Sequence, residues 1–500
     1  MYVIIGVDIG TSGTKAIAYT REGAVIANTY VSYNPVDNPP GHHELDPEVL
    51  FNAVITSIEK TVQQVIKLAH KIEGISFSTA MHSLIAVDAD GQPLTNVITW
   101  ADARSAAYAE ALKQSPAGHD IYRYTGTPVH PMSPLCKIMW LRDHQPQIFA
   151  AAHKFIGIKE FIFYRFFGKY LIDHSIAAAT GLFDIYKKQW YEPALAAAGI
   201  ASGRLSEPVP ATYVVHGLNK TYAQQLGIDA GTSFVIGASD GCLANLGSNA
   251  TKPGDLSVTI GTSGAVRMMA TQPAWDKQER LFNYILTDEL YVSGGAINNG
   301  VVLLKWYTEH FLQKQFASGD DLVAFVQQAA QAPAGADGLL FLPYIMGERA
   351  PVWDAGAKGV FLGIHAGHTQ AHFMRAIIEG INYALYEVAA SVEETVGPIQ
   401  HIYASGGFIK SHLWLQWLTD VFGKEITVIN NDDASAVGAA LLGLQALDRP
   451  GRVSSPVIHS KQNYTPDAAL HARYQRYYKV YAGLYIKLKD DFHTLNDIRS

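Results

Sequence analysis

Two short runs in this chain have the composition of a phosphate cradle. Ile9-Gly10-Thr11-Ser12-Gly13 recurs letter for letter as Ile260-Gly261-Thr262-Ser263-Gly264, an offset of 251 residues (260 − 9) in a chain of 500. Each copy follows a strand-like apolar run, Tyr2 to Ile9 and Leu256 to Ile260, and precedes another such run. Gly, Thr and Ser at a tight strand-to-strand turn leave backbone N–H groups open and add hydroxyl donors. Thr11, Ser12, Gly261 and Thr262 are therefore candidate donors to phosphate oxygens. Asp8 and Lys15 flank the first copy, whereas Thr259 and Val266 stand at the same offset in the second. A duplication that keeps its charges in one copy predicts a single asymmetric site between two similar lobes. No GxxxxGK[ST] run occurs, so a bound nucleotide would be held by paired hairpins and not by a P-loop.

The elements that must position these turns are legible as alternations of strand and helix patterns. Strands are predicted over 2–9, 15–20 and 24–30, followed by a helix over 47–69. Apolar strands at 74–78, 97–99 and 234–237 run into Met81-His82-Ser83, Trp100-Ala101-Asp102 and Ala238-Ser239-Asp240-Gly241. Polar clusters at strand ends are where α/β proteins form ligand sites. In the second half, Phe373, Ile377, Ile381, Leu385 and Val388 recur at helical spacing, which predicts an amphipathic core helix over 372–396. A second helix, rich in small residues and Leu, is predicted over 434–447. Tyr474, Tyr477, Tyr478 and Tyr481 mark a C-terminal helix folding back.

Composition narrows the class. Five hundred residues with 48% apolar content predict two or three globular domains. A net charge of −7, with 38 Lys and Arg and no basic run longer than a dipeptide, argues against a nucleic-acid or anionic-membrane surface. Cys136 and Cys242 lack any ligand or disulfide spacing, which reads as a reducing, cytoplasmic chain. The N-terminus has no basic leader, and no window approaches a membrane span.

Asp8-Ile9-Gly10-Thr11-Ser12-Gly13-Thr14-Lys15 resembles the first phosphate motif of the FGGY carbohydrate kinases, of the actin/hexokinase/Hsp70 superfamily. Gly347-Glu348-Arg349-Ala350-Pro351-Val352-Trp353-Asp354 is similar to the family's G-E-R-x-P-x-W-D stretch, Ser405-Gly406-Gly407-Phe408 with Ser411 to its adenosine segment, and Ala434 to Ala440 to the helix that follows. The resemblance spans essentially the whole chain. It implies an α/β fold of two actin-like (ribonuclease H-like) lobes with an active-site cleft between them. Residues 1–240 would form the lobe for the sugar and first phosphate motif, and 241–500 the lobe for the second phosphate motif and adenosine. It also implies ATP and Mg²⁺ as cofactors, Asp240 as catalytic base, Asp8 orienting the metal through water, Lys15 neutralising the transferring group, and Gly406, Gly407 and Ser411 beside the nucleoside. A homodimer is implied as well, although no residue pattern marks an interface.

The substrate segments of the family fall on Met81-His82, Trp100 to Arg104 and Gly157-Ile158-Lys159-Glu160. With Ala80, Ala101 and the run His130-Pro131-Met132-Ser133-Pro134, they resemble bacterial gluconate kinases more than xylulose kinases. Gluconate is an open-chain acid, and a desolvated carboxylate needs a cation or several donors; Lys159, His82 and His130 are the candidates. Trp100 is placed to stack on the carbon chain and Asp102 to accept a sugar hydroxyl. Alternative readings are a pentulose kinase such as a xylulokinase, and an actin- or Hsp70-like ATPase without a sugar substrate.

Overall fold

The computed structural model describes residues 2–37, 39–429, 433–447 and 460–499. Its first sheet contains β1 (Tyr2–Ile9), β2 (Gly13–Thr20), β3 (Val25–Ser32), β4 (Lys71–Thr79), β5 (Val214–Val215) and β6 (Ser233–Ser239), in the order β5-β6-β4-β1-β2-β3. The second contains β7 (Asp255–Ile260), β8 (Gly264–Ala270), β9 (Phe282–Ile285), β10 (Tyr291–Ile297), β11 (His401–Ser405), β12 (Ile426–Ile429) and β13 (Ser460–Tyr464), in the order β9-β10-β8-β7-β11-β12-β13. In each, an antiparallel group of strands that opens with a hairpin leads into a strand, β4 or β11, parallel to the first hairpin strand, then into a further parallel strand. Each sheet is extended by an antiparallel strand, β5 or β13. The repeated pentapeptide is thus the visible remnant of a repeated topology, and the expected two-lobed α/β architecture is present.

Helices named below are α1 (Pro47–Lys67), α2 (Pro134–His144), α3 (Ile158–Phe167), α4 (Asp240–Gly247), α5 (Val302–His310), α6 (Gln370–Thr395), α7 (His412–Phe422), α8 (Ala434–Leu447), α9 (Ala468–Tyr481) and α10 (Leu484–Arg499). Helix α1 begins where Asp46 accepts hydrogen bonds from the amides of Glu48 and Val49 and Pro47 supplies a fixed φ. Its Leu50, Val54, Ile58 and Val62 bury one face of the first sheet with Val3, Ile5 and Val7. Helix α6 does the same for the second sheet, placing Ile377, Ile381, Leu385 and Val388 on Leu256, Val258 and Ile260. The C-terminal segment forms two helices, with Tyr474 and Tyr481 buried and Tyr481 5.3 Å from the Tyr383 ring.

The other face of the first sheet is covered from the far half of the chain. Ile4, Ile17 and Tyr19 pack on Ala436, Ala440 and Leu444 of α8. Helix α4, which continues β6, meets the second sheet through Asn245, whose side-chain oxygen accepts from Ser257 Oγ at 2.6 Å. The two helices cross with almost no side chain between them: a Cβ at Gly438 would lie 2.0 Å from the Leu243 carbonyl oxygen, and one at Gly247 1.9 Å from that of Ala434. Helix α8 thereby covers the first sheet from the far half of the chain, and α4 ties that seam to the second sheet. No helix among the described residues is long and apolar enough to cross a membrane. Since backbone cannot yield as a flexible side chain can, Gly438→Ala is expected to cost about 1–3 kcal/mol. Thermal unfolding would show this as a lowered midpoint, with Gly203→Ala, whose Cβ meets open space, as the unchanged control.

Candidate active site

Strands β1, β4 and β6 end level with one another, Ile9 opposite Thr79 and Ser239 opposite Thr79. The residues that leave those ends, Gly10, Met81 and Asp240, therefore emerge on one edge. Asp8 Oδ1 accepts from Ser78 Oγ at 2.7 Å. Burial, with Asp240 and Asp433 nearby, pushes the Asp8 carboxyl up to about 7 against the pull of Ser78 and Lys15. Lys15 is opposite Asp8 in the hairpin register, but its ammonium pairs with Asp433, just ahead of α8.

Both phosphate-type turns have their carbonyls turned inward and fastened. In the first, Gly10 O accepts from Tyr33 OH at 2.5 Å, and Ser12 O accepts from Tyr30 OH and Tyr33 N, both at 3.2 Å. In the second, Gly261 O accepts from Val301 N, and Thr262 O from Gly300 N and Val302 N, at the start of α5. The amides of Thr11, Ser12, Thr262 and Ser263 donate to no protein acceptor among the described residues. Two strips of open N–H groups and hydroxyls result, which is the donor set an oxyanion needs. The identical pentapeptides are not identical turns, however. Ile9 pairs with Thr14 and Ile260 with Gly264, so the second turn is one residue shorter and Ala265, not Val266, lies opposite Thr259.

That slip has a chemical consequence. On β8 it puts Arg267 on the same face as Thr259 and Ala265, and all three border a cavity of about 290 Å³ between the lobes that also contains Met81, Trp100 and Asp240. Asp240 opens α4, capped by Ser239, and its Oδ1 accepts from the Gly241 amide at 2.7 Å. Burial raises the Asp240 carboxyl, while Arg267, that amide and Lys159 oppose the rise. Arg267 lies against Gly241, where a Cβ would come within 3.2 Å of its Nε. Its guanidinium makes no hydrogen bond to any described residue, and Nε is fully enclosed. The second cation, Arg349, donates from Nε to Asn298 Oδ1 at 2.7 Å and lies 4.7 Å over the Trp100 ring. Burial lowers it to about 10. Glu348 steadies that segment by accepting from the amides of Asn298 at 2.5 Å and Arg349 at 2.8 Å.

Of the residues singled out from the sequence, Met81, His82, Trp100, Asp240, Gly261 and Thr262 border this cavity. Others do not serve as expected. Lys159 on α3 is 1% exposed, its ammonium bonded to Asp173 at 2.7 Å and the Ala238 carbonyl at 3.0 Å; it supports the strand that delivers Asp240 and does not reach the cavity. Asp102 has no lone pair to spare for a sugar, because both oxygens are taken by the amides of His43 and Arg104 and by the Arg104 guanidinium. His82 is no cation: burial and Lys137 lower it to about 3. Its Nδ1–H donates to Ala179 O at 2.7 Å and Nε2 accepts from Tyr284 OH at 3.3 Å. His130 borders the neighbouring depression behind Trp353, with Nδ1 accepting from the Met132 amide.

Ser411 is buried and caps α7, accepting from Trp414 N at 3.4 Å. Gly406 takes φ +100° against the Ile260 carbonyl, whereas a Cβ at Gly407 would meet open space. The cavity is also bordered by both halves of the chain, through Arg267, Tyr284, Arg349 and Trp353, so the first lobe does not enclose it alone. Arg267 escaped notice because residue-by-residue alignment of the pentapeptides set Val266 against Lys15. Arg349 lay inside a quoted motif without a role.

Residues 3–247 match the N-terminal domain, and 256–447 the C-terminal domain, of the FGGY family of carbohydrate kinases. Two actin-like lobes are the architecture of that class. The chain belongs to the FGGY family of carbohydrate kinases. It is 40% identical over 497 residues to a gluconokinase of Bacillus licheniformis, covering 98% of this chain and 96% of the relative. A xylulose kinase of Staphylococcus xylosus is 28% identical, covering 97% of this chain and 100% of the relative. The structure of a gluconate kinase from Lactobacillus acidophilus superposes with a TM-score of 0.93 at 34% identity, covering 99% of each chain.

Because Lys159 neutralises a buried carboxylate, Lys159→Met is expected to destabilise the fold by about 3–5 kcal/mol. Denaturant unfolding measures this; a direct ligand role would instead leave stability intact and raise the acceptor KM.

Proposed function

We propose that this protein transfers the γ-phosphoryl group of ATP to D-gluconate, giving 6-phospho-D-gluconate and ADP. The observation that carries the reading is Arg267, whose Nε is fully enclosed and whose guanidinium has no hydrogen-bond partner among the described residues, in the cavity that holds Asp240. With Arg349 it leaves the cavity with surplus positive charge, which suits an anionic acceptor better than a neutral ketose. Trp100, Met132 and Trp353 supply apolar walls for a carbon chain. In this reading the open amides of the two turns hold the β- and γ-phosphates, and the space beside Gly407 admits the nucleoside. The acceptor hydroxyl oxygen bonds to the γ-phosphorus as the bond to the bridging oxygen breaks. Asp240 takes the hydroxyl proton, and its raised affinity for a proton suits it to that task. Lobe closure would keep water, a competing acceptor, out of the cavity.

Mg²⁺ fits this edge, because Asp8, Asp240 and Asp433 crowd negative charge there and Lys15 is committed to Asp433. No three-ligand cluster exists among the described residues, so the ion would be held by phosphate oxygens and by Asp8 through water. When bound it supplies charge neutralisation on the phosphates. Two buried free thiols accord with work in the cytoplasm.

A coupled ADP-release assay over gluconate, xylulose, ribulose and glycerol tests the substrate. Turnover with gluconate alone is expected, and equal turnover with xylulose would overturn the assignment while leaving the kinase class intact. Asp240→Asn is expected to lower kcat by about 10³-fold or more with nucleotide affinity within twofold. Arg267→Met should raise the gluconate KM at least tenfold in steady-state kinetics.

A further inference from the structure

Lys137, on α2, is 0% exposed and has no carboxylate within hydrogen-bonding distance among the described residues. Its ammonium instead donates to three backbone carbonyls: His82 at 2.5 Å, Thr99 at 2.8 Å and Ile98 at 3.4 Å. These carbonyls belong to two separate segments. One is the bend after β4 that carries Met81 and His82 into the cavity, where His82 holds φ +65°, an uncommon conformation for a residue with a side chain. The other delivers Trp100, on whose ring Arg349 rests. Among the described residues their backbones pair through Leu84 and Ile98.

We infer that Lys137 is a positioning residue for acceptor binding: its three N–H donors tie the His82 bend to the Thr99–Trp100 segment and so set the width of the acceptor cavity. A lysine buried without a counter-ion is expensive to keep, and burial lowers its pKa to about 7 even with Asp102 opposing. A methionine would fill the same volume without that cost. What the ammonium adds is three donors at the junction of two loops, and an amide side chain could supply two at most. Lys137 itself touches no acceptor; it acts through Met81, His82 and Trp100. The inference rests on the kinase reading of the cavity but not on which sugar fills it.

The test compares Lys137→Met and Lys137→Gln with the wild type, measuring KM for the acceptor, KM for MgATP, kcat and melting temperature. The acceptor is gluconate, or xylulose should the substrate panel select it, so an error in the substrate leaves this test standing. Lys137→Met is expected to raise the acceptor KM at least tenfold with the MgATP KM within twofold. Lys137→Gln should raise it by a smaller factor with the same split, and decides the matter alone if the methionine variant does not fold. An unchanged acceptor KM in the soluble variants, or acceptor and MgATP values rising together, would overturn the inference and leave Lys137 as a core residue only.

Discussion

The site depends on how closely two helices can approach. Helices α4 and α8 meet backbone to backbone because Gly247 and Gly438 present no side chain at the crossing, and α8 seats on β1 because Gly6 presents none to the Ala436 carbonyl. This contact holds two sheets of the same topology against one another, with the 261–263 turn of the second sheet and Asp240, at the end of the first, bordering one cavity. It also sets Asp240 at the first position of one of the two seam helices, and Asp433 immediately before the other. Any larger residue at the crossing would wedge the lobes apart and separate the two turns.

On that frame the electrostatics fall into two regions. Acidic charge gathers at the ends of the first sheet, around Asp8, Asp240 and Asp433, where burial and mutual repulsion make an uncompensated carboxylate costly. Positive charge borders the cavity at Arg267, which lies against Gly241 next to Asp240, and at Arg349. Asp240 belongs to both regions. Under the proposed reading, two guanidiniums bordering one small cavity suit an anionic acceptor better than a neutral one. Interactions in such an enclosed space are much stronger than on a wetted surface. That explains why the cations nearest the cavity are guanidiniums, which hold their protons when buried, while the histidine at its rim is neutral.

Much of this was legible in the sequence. The duplicated turn, the α/β succession and the amphipathic helix over 372–396 follow from local pattern, because strand and helix periodicities survive wherever one face is buried; Asp240 was singled out through the family resemblance. What local pattern cannot convey is where a side chain ends. Lys159 and Asp102 have the chemistry of ligands, but tertiary contacts with Asp173 and Arg104 engage them fully. Ser411 lies in the adenosine-like segment yet caps a helix. Arg267 was hidden by a single-residue difference in turn length, which reverses the face of every later residue on a strand. Lys137 carried no motif that marked it, since its partners are carbonyls, which every residue has.

The most direct measurement of the central claim is a crystal structure with Mg²⁺, gluconate and a non-hydrolysable ATP analogue. The account predicts the β- and γ-phosphates between the 10–13 and 261–264 turns, the 6-hydroxyl within hydrogen-bonding distance of Asp240, and the carboxylate on a guanidinium of Arg267 or Arg349. Phosphates bound away from either turn, or an acceptor hydroxyl out of reach of Asp240, would contradict it.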